Sequence, residues 1–300
     1  MIAIDWGTSS FRAYLLDAVG RIRERREAPC GILGIAPGGF PATLAAQIGG
    51  WPEGPIVMSG MVGSRQGWAE VPYADCPAGA AEIAGLMCRV RRPGGERPVW
   101  IVPGLACRDG AGTPDVMRGE ETQILGALAE LPPEEAVLCL PGTHSKWVRL
   151  SRGRILEFAT AMTGEVFAVL RRHSILGRLM PSESAPPAED DSAFAAGLAR
   201  AGEAGGLLHH LFGVRSAGLF GAIPEEGLAA YLSGILIGRE IADLAPPGGL
   251  VHLIGAPALS ALYARALEAA GHETRRLDPD CVARGLYLLS SYLPTEPGHA

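Results

Sequence analysis

Lysine is almost absent from this sequence, and several motifs that mark common functions are missing altogether. Of 26 basic residues, 25 are arginine and one, Lys146, is lysine. The six cysteines form no CxxC pair and the seven histidines no HExxH motif, so neither a disulfide framework nor a zinc site is expected. No GxxxxGKS/T loop, GxGxxG fingerprint or GxSxG elbow occurs either. A nucleotide, if one binds, must be held by another kind of loop.

Long apolar runs and an excess of positive charge are also missing. No run approaches the roughly 20 residues of a membrane span, and Asp5 interrupts the apolar start of the chain, so no signal peptide is expected. The net charge of −6 argues against binding to nucleic acid or a membrane surface, although one local arginine cluster would suffice for an anionic metabolite. With 300 residues, 48% of them apolar, the chain is expected to be a globular protein of two domains. Because no membrane span or signal peptide is expected, it is predicted to be cytoplasmic, as a possible homodimer.

A pattern of strand, tight turn, strand, turn and strand occurs twice, about half a chain apart. The strands are predicted at 2–5, 11–16 and 21–27 in the first copy and at 136–140, 147–150 and 154–160 in the second. The first turn holds Gly7 and Thr8, and its counterpart holds Gly142 and Thr143. A repeat of this kind predicts two similar domains that face each other, although any two meanders share some features.

Apolar periodicity predicts the remaining elements. They are strands at 56–59, 99–102 and 250–254, helices at 120–131, 165–172, 228–244 and 257–270, and a polar loop at 181–191. The helix at 228–244 is apolar over most of its length, which indicates that it is buried.

The two Gly–Thr turns are candidates for phosphate binding, because such turns offer backbone N–H groups and a hydroxyl with no bulky side chain in the way. Facing each other, they could hold the β- and γ-phosphates of ATP from both sides. Asp5 would organise Mg²⁺, mostly through water, since Mg²⁺ keeps most of its hydration shell. The predicted phosphate-binding and nucleotide-binding residues are Gly7, Thr8, Ser9, Arg12, Gly142, Thr143, His144, Lys146 and, in a third glycine turn next to the adenosine, Gly255.

Lys146 is predicted to belong to the second turn, just before the strand at 147–150. A lysine acts as a compact point charge where the fork of an arginine does not fit. The only lysine of the chain is therefore predicted to lie inside the second turn beside a phosphate, with chance placement as the alternative.

The motifs around these turns resemble those of a known kinase family. The segments AIDWGTSSFRAYLLD (3–17), LCLPGTHSKWV (138–148) and LVHLIGAPALSALYARAL (250–267) are similar to the two phosphate motifs and the adenosine motif of the actin, hexokinase and heat-shock ATPase superfamily. The segments SGMVGSRQGW (59–68), VPGLAC (102–107), VMRGEETQILGAL (116–128), PGTHSKWV (141–148) and MTGE (162–165) together resemble the 2-dehydro-3-deoxygalactonokinase family. The resemblance extends from residue 2 to about residue 285.

This resemblance implies an α/β fold of two actin-like (ribonuclease H-like) domains, each a mixed sheet flanked by helices, with a cleft between them. The expected ranges are 1–125 and 126–300. It also implies ATP- and Mg²⁺-dependent phosphorylation of 2-dehydro-3-deoxygalactonate, a six-carbon keto acid, on its terminal hydroxyl to give the 6-phosphate.

A keto-deoxy sugar acid needs a cation for its carboxylate, donors for its hydroxyls and a flat apolar surface. The segment from Gly63 to Trp68 offers all three. Arg65 would pair with the carboxylate, Ser64 and Gln66 would donate hydrogen bonds, and Trp68 would stack on the carbon chain. The alternative for Trp68 is a role in the hydrophobic core.

The base for the attacking hydroxyl should be a carboxylate. Glu120 and Glu121 begin a predicted helix, where related sugar kinases have an aspartate, and Asp115 is the second choice. Acidic residues at a helix N-terminus are also selected for helix stability alone. Arg118 and Arg12 are the expected cations near the transferred phosphoryl group, with surface ion pairing as their alternative.

Several other functions fit the same residues less well. A related sugar kinase, or a phosphatase or nucleotide hydrolase in which water replaces the sugar hydroxyl, would use the same turns. A non-catalytic sugar sensor usually carries a DNA-binding segment, and this chain begins at the first strand. An actin-like scaffold would not need Arg65, Gln66 and Trp68 together on a glycine-rich loop. The sequence leaves open the galacto or gluco preference, the oligomeric state and the extent of domain closure.

Overall fold

The structure is a computed structural model that describes residues 1–90, 98–181 and 191–294. The described residues form two compact units. The first comprises Met1–Ala136, Val148–Phe158 and the chain from Leu277 onward, and the second comprises Val137–Trp147 and Ala159–Arg276. The polar loop predicted at 181–191 lies, for residues 182–190, outside the described residues.

The strands and helices are numbered in chain order. The strands of the described residues are β1 Ile2–Trp6, β2 Phe11–Leu16, β3 Ile22–Ala28, β4 Ile56–Ser59, β5 Tyr73–Asp75, β6 Cys88–Val90, β7 Val99–Ile101, β8 Gly104–Arg108, β9 Pro114–Met117, β10 Glu135–Leu140, β11 Ser145–Ser151, β12 Arg154–Ala161, β13 Leu250–Leu253 and β14 Glu273–Arg276. The α-helices are α1 Phe40–Ile48, α2 Ala80–Gly85, α3 Glu120–Ala127, α4 Thr163–His173, α5 Asp191–Ala201, α6 Gly206–Leu219, α7 Leu228–Leu244, α8 Pro257–Ala269 and α9 Cys281–Ser290. None of these helices is long and apolar enough to cross a bilayer.

The first sheet has six strands in the order β3-β2-β1-β4-β7-β6. The meander β1-β2-β3 is antiparallel, whereas β4 and β7 continue the sheet in parallel with β1. All five residues of β1 are buried, because this central strand is covered on both faces. In its register, Asp5 lies opposite Arg12 on one side and Ser59 on the other.

The second sheet has five strands in the order β12-β11-β10-β13-β14, with β13 parallel to both β10 and β14. The first sheet thus continues its meander with β4 and β7, which run parallel to β1, and ends in β6, which is antiparallel to β7. The second sheet continues β12-β11-β10 with β13 and β14, which run parallel to β10. The repeat expected from the two Gly–Thr turns is therefore present in the topology, and the predicted α/β class with mixed sheets flanked by helices is confirmed.

Helix α9 and the small sheet β5-β8-β9 were not predicted from the sequence. Helix α9 packs closely on α3, where a Cβ on Gly126 would lie 1.8 Å from the carbonyl oxygen of Cys281, and a Cβ on Gly285 would lie 1.8 Å from that of Thr122. Arg284 Nε donates to the carbonyl of Gly126 at 3.0 Å.

The compact units consequently differ from the predicted ranges of 1–125 and 126–300. A boundary after residue 125 would cut α3, which continues to Ala127 and is followed by a 3-10 turn, Leu128–Glu130. The C-terminal segment joins the first unit because α9 packs on α3, and periodicity within the sequence carries no information on that contact.

Candidate active site

The first Gly–Thr turn connects β1 and β2. The Gly7 N–H donates to the carbonyl of Ser10 at 2.9 Å, and the side chains of Thr8 and Ser9 are exposed. Trp6, immediately before the turn, is fully buried and donates from Nε1 to the carbonyl of Cys30 at 2.8 Å. The turn thus exposes Thr8 and Ser9 to solvent, while the buried Trp6 holds its first end in place, an arrangement that suits a phosphate site.

Asp5 is 9% exposed and forms an ion pair with Arg12, at 3.1 Å between Oδ2 and Nη2. Burial raises the pKa of Asp5, and the charge of Arg12 opposes this effect. Arg12 lies opposite Asp5 because β1 and β2 are paired in that register. The predicted alternative for Arg12, ion pairing, is therefore present, and its partner is the predicted metal-binding carboxylate itself.

Two glycines bring other segments up to Asp5. Gly60, directly after β4, has a φ of 93°, and a Cβ there would lie 3.2 Å from Asp5 Oδ1. Gly119, directly before α3, has a φ of 112°, and its Cβ would lie 3.2 Å from the Cα of Gly60. Both conformations favour glycine. The carboxyl ends of β1 and β4 and the N-terminus of α3 therefore meet at one place. Thr122 Oγ1 donates to the Gly119 carbonyl at 2.6 Å there and lies 3.2 Å from Ser59 Oγ.

Glu120 and Glu121, the first two residues of α3, lie in different environments. Glu120 is half-buried and accepts the N–H of Arg118 at 3.0 Å. Glu121 is completely buried, and its Oε2 accepts the N–H of Gly119 at 2.7 Å. Its other oxygen, Oε1, has no hydrogen-bond partner among the described residues. Burial, with a smaller contribution from the charge of Glu120, raises the pKa of Glu121 to about 8.

Arg118 is directed toward Val71 and Tyr73. Its Nη2 donates to the carbonyl of Val71 at 2.8 Å, and its guanidinium lies 4.3 Å from the centre of the Tyr73 ring. Its Nε and Nη1 are buried without a hydrogen-bond partner among the described residues. Asp115, the second choice for the base, lies in β9 opposite Cys107, with its carboxylate bonded to the N–H of Val116.

The predicted sugar-acid segment is a glycine-rich turn after β4. Arg65 is 87% exposed, with Nε 3.5 Å from Glu70 Oε1, and Gln66 is also exposed. Ser64 Oγ donates to the carbonyl of Met61 at 2.7 Å. Trp68 is half-buried and stacks on Phe40, with ring centres 6.2 Å apart and planes 13° apart. Gly63 is buried, and a Cβ there would lie 3.0 Å from Arg118 Nη1.

Trp68 also packs against the hydrophobic core of the first unit, which agrees with the core alternative for this residue. Arg65 and Gln66 keep their side chains in solvent. The segment therefore presents two polar side chains to solvent next to the stacked rings of Trp68 and Phe40. The binding roles of Gly63 to Trp68 stay predictions.

The second Gly–Thr turn connects β10 and β11. Thr143 and His144 are exposed, and His144 Nε2 lies 2.5 Å from Glu165 Oε2 at the start of α4. A Cβ on Gly255 would lie 3.1 Å from the carbonyl oxygen of Pro141, so the third glycine turn reaches the beginning of the second. The predicted phosphate turn and the predicted adenosine turn thus meet within the second unit.

The sequence predicted Lys146 inside the second turn, but the residue lies in strand β11. It is 5% exposed, and its Nζ donates to Thr160 Oγ1 on β12 at 2.8 Å. The strand begins at Ser145, directly after His144. Because Lys146 is therefore part of the strand, its side chain points to one face of the sheet. A buried ammonium group is costly unless it has partners, so a hydrogen bond of this kind is required.

A buried polar network beneath the second turn was not predicted. Glu240, in α7, accepts hydrogen bonds from Trp147 Nε1 at 2.8 Å and from the Tyr263 hydroxyl at 2.7 Å. The Tyr263 hydroxyl also lies 2.8 Å from Ser145 Oγ, at the end of the turn. Burial raises the pKa values of Glu240 and Tyr263. The helix at 228–244 holds two acids, Glu240 and Asp243, and its sequence does not show which one is buried; Asp243 is exposed and pairs with Arg239.

The fold and the two turns define an α/β protein of the actin-like kinase type. Comparison with known proteins narrows this class. The family model described as 2-keto-3-deoxy-galactonokinase matches residues 5–289, and the chain belongs to this family. A protein of Rhizobium meliloti (strain 1021) named as a probable 2-dehydro-3-deoxygalactonokinase is 41% identical over 94% of this chain and 93% of its own length.

Two further relatives agree with this assignment. The 2-dehydro-3-deoxygalactonokinase of Escherichia coli (strain K12) is 37% identical over 90% of each chain. A crystal structure from Sinorhizobium meliloti, of a protein assigned as a 2-dehydro-3-deoxygalactonokinase, superposes with a TM-score of 0.86 at 40% identity and covers 97% of each chain. The resemblance stated from the motifs is therefore confirmed.

Proposed function

We propose that this protein transfers the terminal phosphoryl group of ATP to the terminal hydroxyl of 2-dehydro-3-deoxy-D-galactonate, giving the 6-phosphate, in the cytoplasmic catabolism of galactonate. The name of the family and those of its relatives support this substrate. One structural observation carries the kinase activity: an open Gly–Thr turn occurs at the same position in both copies of the repeated meander.

The turns would contribute backbone N–H groups and threonine hydroxyls to the phosphates. Phosphoryl transfer needs mainly positioning and neutralisation of charge, so preorganised donors of this kind supply much of what the reaction requires. On the first turn, Gly7, Thr8 and Ser9 would bind phosphate, and Arg12 would add a positive charge. On the second turn, Gly142, Thr143 and His144 would bind phosphate. The buried Lys146, in the strand that follows this turn, would add a positive charge.

Asp5 is suited to Mg²⁺ held mostly through water. The described residues contain no group of three or more His, Cys, Asp or Glu side chains that could hold a metal ion by themselves. Mg²⁺ in kinases is commonly bound by one or two carboxylates together with substrate phosphates, and it screens the phosphate charge there. The Asp5 carboxylate, close to the first turn and balanced by Arg12, matches that mode.

Of the two candidate bases, we favour Glu121, because the Gly119 N–H fixes its Oε2 while its Oε1 has no hydrogen-bond partner among the described residues. A general base works best when its pKa lies near the working pH, and burial brings that of Glu121 to about 8. In the reaction, the Glu121 carboxylate would take the proton of the attacking hydroxyl. The oxygen–phosphorus bond forms to the sugar acid as the bond to ADP breaks.

The decisive experiment is a coupled ADP-release assay with a panel of aldonic and keto-deoxy acids, including both the galacto and gluco epimers. Turnover of 2-dehydro-3-deoxygalactonate, alone or together with its gluco epimer, supports the proposal. Turnover with another sugar or sugar acid alone would refute the substrate. ADP release with no acceptor present would indicate a nucleotide hydrolase, and ligand binding without any turnover would indicate a sensor.

The base is identified by assaying Glu120→Gln and Glu121→Gln separately. A positioned base typically contributes about 10²- to 10⁴-fold to the rate, so the variant that removes it should lose at least about a hundredfold in kcat. We expect this loss for Glu121→Gln. If only Glu120→Gln is impaired, the assignment moves to that residue, and if neither is impaired the base lies elsewhere.

The absence of nucleic-acid and membrane partners and the possible homodimer stay predictions. They are tested together by measuring the mass of the purified protein in solution by light scattering and its binding to duplex DNA and anionic vesicles.

A further inference from the structure

Each Gly–Thr turn is in close contact with a second glycine, which lies at the same position of the repeat in both copies. Strand β3 ends at Ala28 and β12 at Ala161, and a glycine follows three residues later in both copies, at Gly31 and Gly164. Neither glycine belongs to the turn that it touches.

In the first unit, Gly31 lies directly against the backbone of the turn. A Cβ on this residue would lie 2.2 Å from the carbonyl oxygen of Thr8 and 2.3 Å from the Cα of Ser9. The two residues that follow donate backbone hydrogen bonds to the turn: Ile32 N–H to the Gly7 carbonyl at 3.0 Å and Leu33 N–H to the Thr8 carbonyl at 3.3 Å.

In the second unit, Gly164 makes the equivalent contact. Its Cβ would lie 2.4 Å from the carbonyl oxygen of Gly142 and 2.9 Å from the Cα of Thr143. The next residue, Glu165, donates its N–H to the Thr143 carbonyl at 3.0 Å. In both copies the obstacle to a side chain is backbone, which cannot move aside as the end of a flexible side chain could.

We infer that Gly31 and Gly164 are positioning residues, which hold the two Gly–Thr turns in the shape that binds the phosphates of ATP. This inference rests on the proposed function. The carbonyls of each turn are bonded to the backing segment, so the turn is held in place before a ligand arrives, and a preformed site loses less conformational freedom on binding. A methyl group at either glycine would displace the turn as a whole.

The test compares Gly31→Ala and Gly164→Ala with two matched controls, Gly34→Ala and Gly213→Ala. At both control positions φ lies outside the left-handed region and a Cβ would meet no atom within 4 Å. We expect the KM for ATP to rise at least tenfold in the two test variants, while the KM for the sugar acid changes less than threefold. The controls should behave as the wild type.

Two results would overturn the inference. The first is a KM for ATP in Gly31→Ala and Gly164→Ala that equals the value in their controls. The second is an equal rise in the KM for ATP and the KM for the sugar acid, which would indicate general damage to the fold. A wild type that neither binds nor turns over ATP refutes the proposed function and this inference with it. An active wild type with unaffected variants refutes this inference alone.

A measurement on the wild-type protein covers the case in which the variants do not fold. Hydrogen exchange is followed with and without a non-hydrolysable ATP analogue. If the backing segments hold the phosphate turns, the analogue should slow exchange at the amides of Ile32, Leu33 and Glu165, because these amides donate to the turns. Exchange that is unchanged at all three, with the analogue bound, contradicts the inference.

Discussion

Replacing Glu121 by glutamine should make the stability of this protein less sensitive to pH between about 4.5 and 8. The carboxyl group is completely buried, and its pKa is raised from an ordinary value of 4.5 to about 8. Between these two pH values the folded protein keeps a proton that the unfolded chain has lost. Stability therefore falls as pH rises through this window, and the loss is complete above the folded pKa.

The size of the effect follows from the shift. One pKa unit corresponds to about 1.4 kcal/mol, so between pH 4.5 and 8 the fold loses up to about 5 kcal/mol relative to a side chain that stays neutral. Glutamine cannot ionise, and its amide oxygen can still accept the N–H of Gly119. At pH 5 the variant should match the wild type, and by pH 9 it should be more stable by several kcal/mol.

The assay is urea unfolding of wild type and variant at pH values from 5 to 9 without ligands. Glu120→Gln is the matched control, because Glu120 is the half-buried neighbour that also accepts a backbone N–H. A stability difference for Glu121→Gln that does not grow with pH, or that grows equally in the control, would refute the assignment of the raised pKa. In the active enzyme, kcat/KM should rise with pH through about 8 as the base loses its proton.

Three further predictions concern other parts of the molecule. Lys146→Ala should raise the KM for ATP more than that for the sugar acid, and the opposite split would remove Lys146 from the nucleotide site. Arg65→Ala should raise the KM for the sugar acid at least about tenfold, as loss of a charged hydrogen bond implies, and leave that for ATP unchanged; an effect on ATP alone would exclude a carboxylate contact. Gly285→Ala should lower the free energy of unfolding by about 3 kcal/mol or more through overpacking, since its Cβ would lie 1.8 Å from the Thr122 carbonyl. Urea unfolding checks this last effect against Gly85→Ala, where a Cβ meets no atom within 4 Å; equal losses would contradict it.

Most of the secondary structure near the site could be predicted from the sequence. The strand at 56–59 and the helix at 228–244 have the observed bounds, and both Gly–Thr turns lie between the strands expected for them. These features depend on local periodicity and on turn residues. The predicted helix at 120–131 is an α-helix only to Ala127 and continues as a 3-10 turn to Glu130.

Residues in the site were harder to assign, since their roles depend on neighbours that are distant in sequence. Arg12 was expected near the phosphoryl group, and its ion pair with Asp5 follows from the strand register. Lys146 was expected in the turn, and strand β11 directs it to Thr160 instead. Gly31 was overlooked because nothing near it in the sequence indicates contact with Thr8.

The sequence by itself determined the repeated meander, its two Gly–Thr turns and the resemblance to one kinase family, because turn chemistry and apolar periodicity act over a few residues. Only the tertiary structure decided that Glu121 is buried, that α9 closes on α3, and that Gly31 and Gly164 touch the turns. Burial and close backbone contact are set by segments that lie far apart along the chain. Whether an acid near a phosphate turn has a raised pKa is therefore decided by packing.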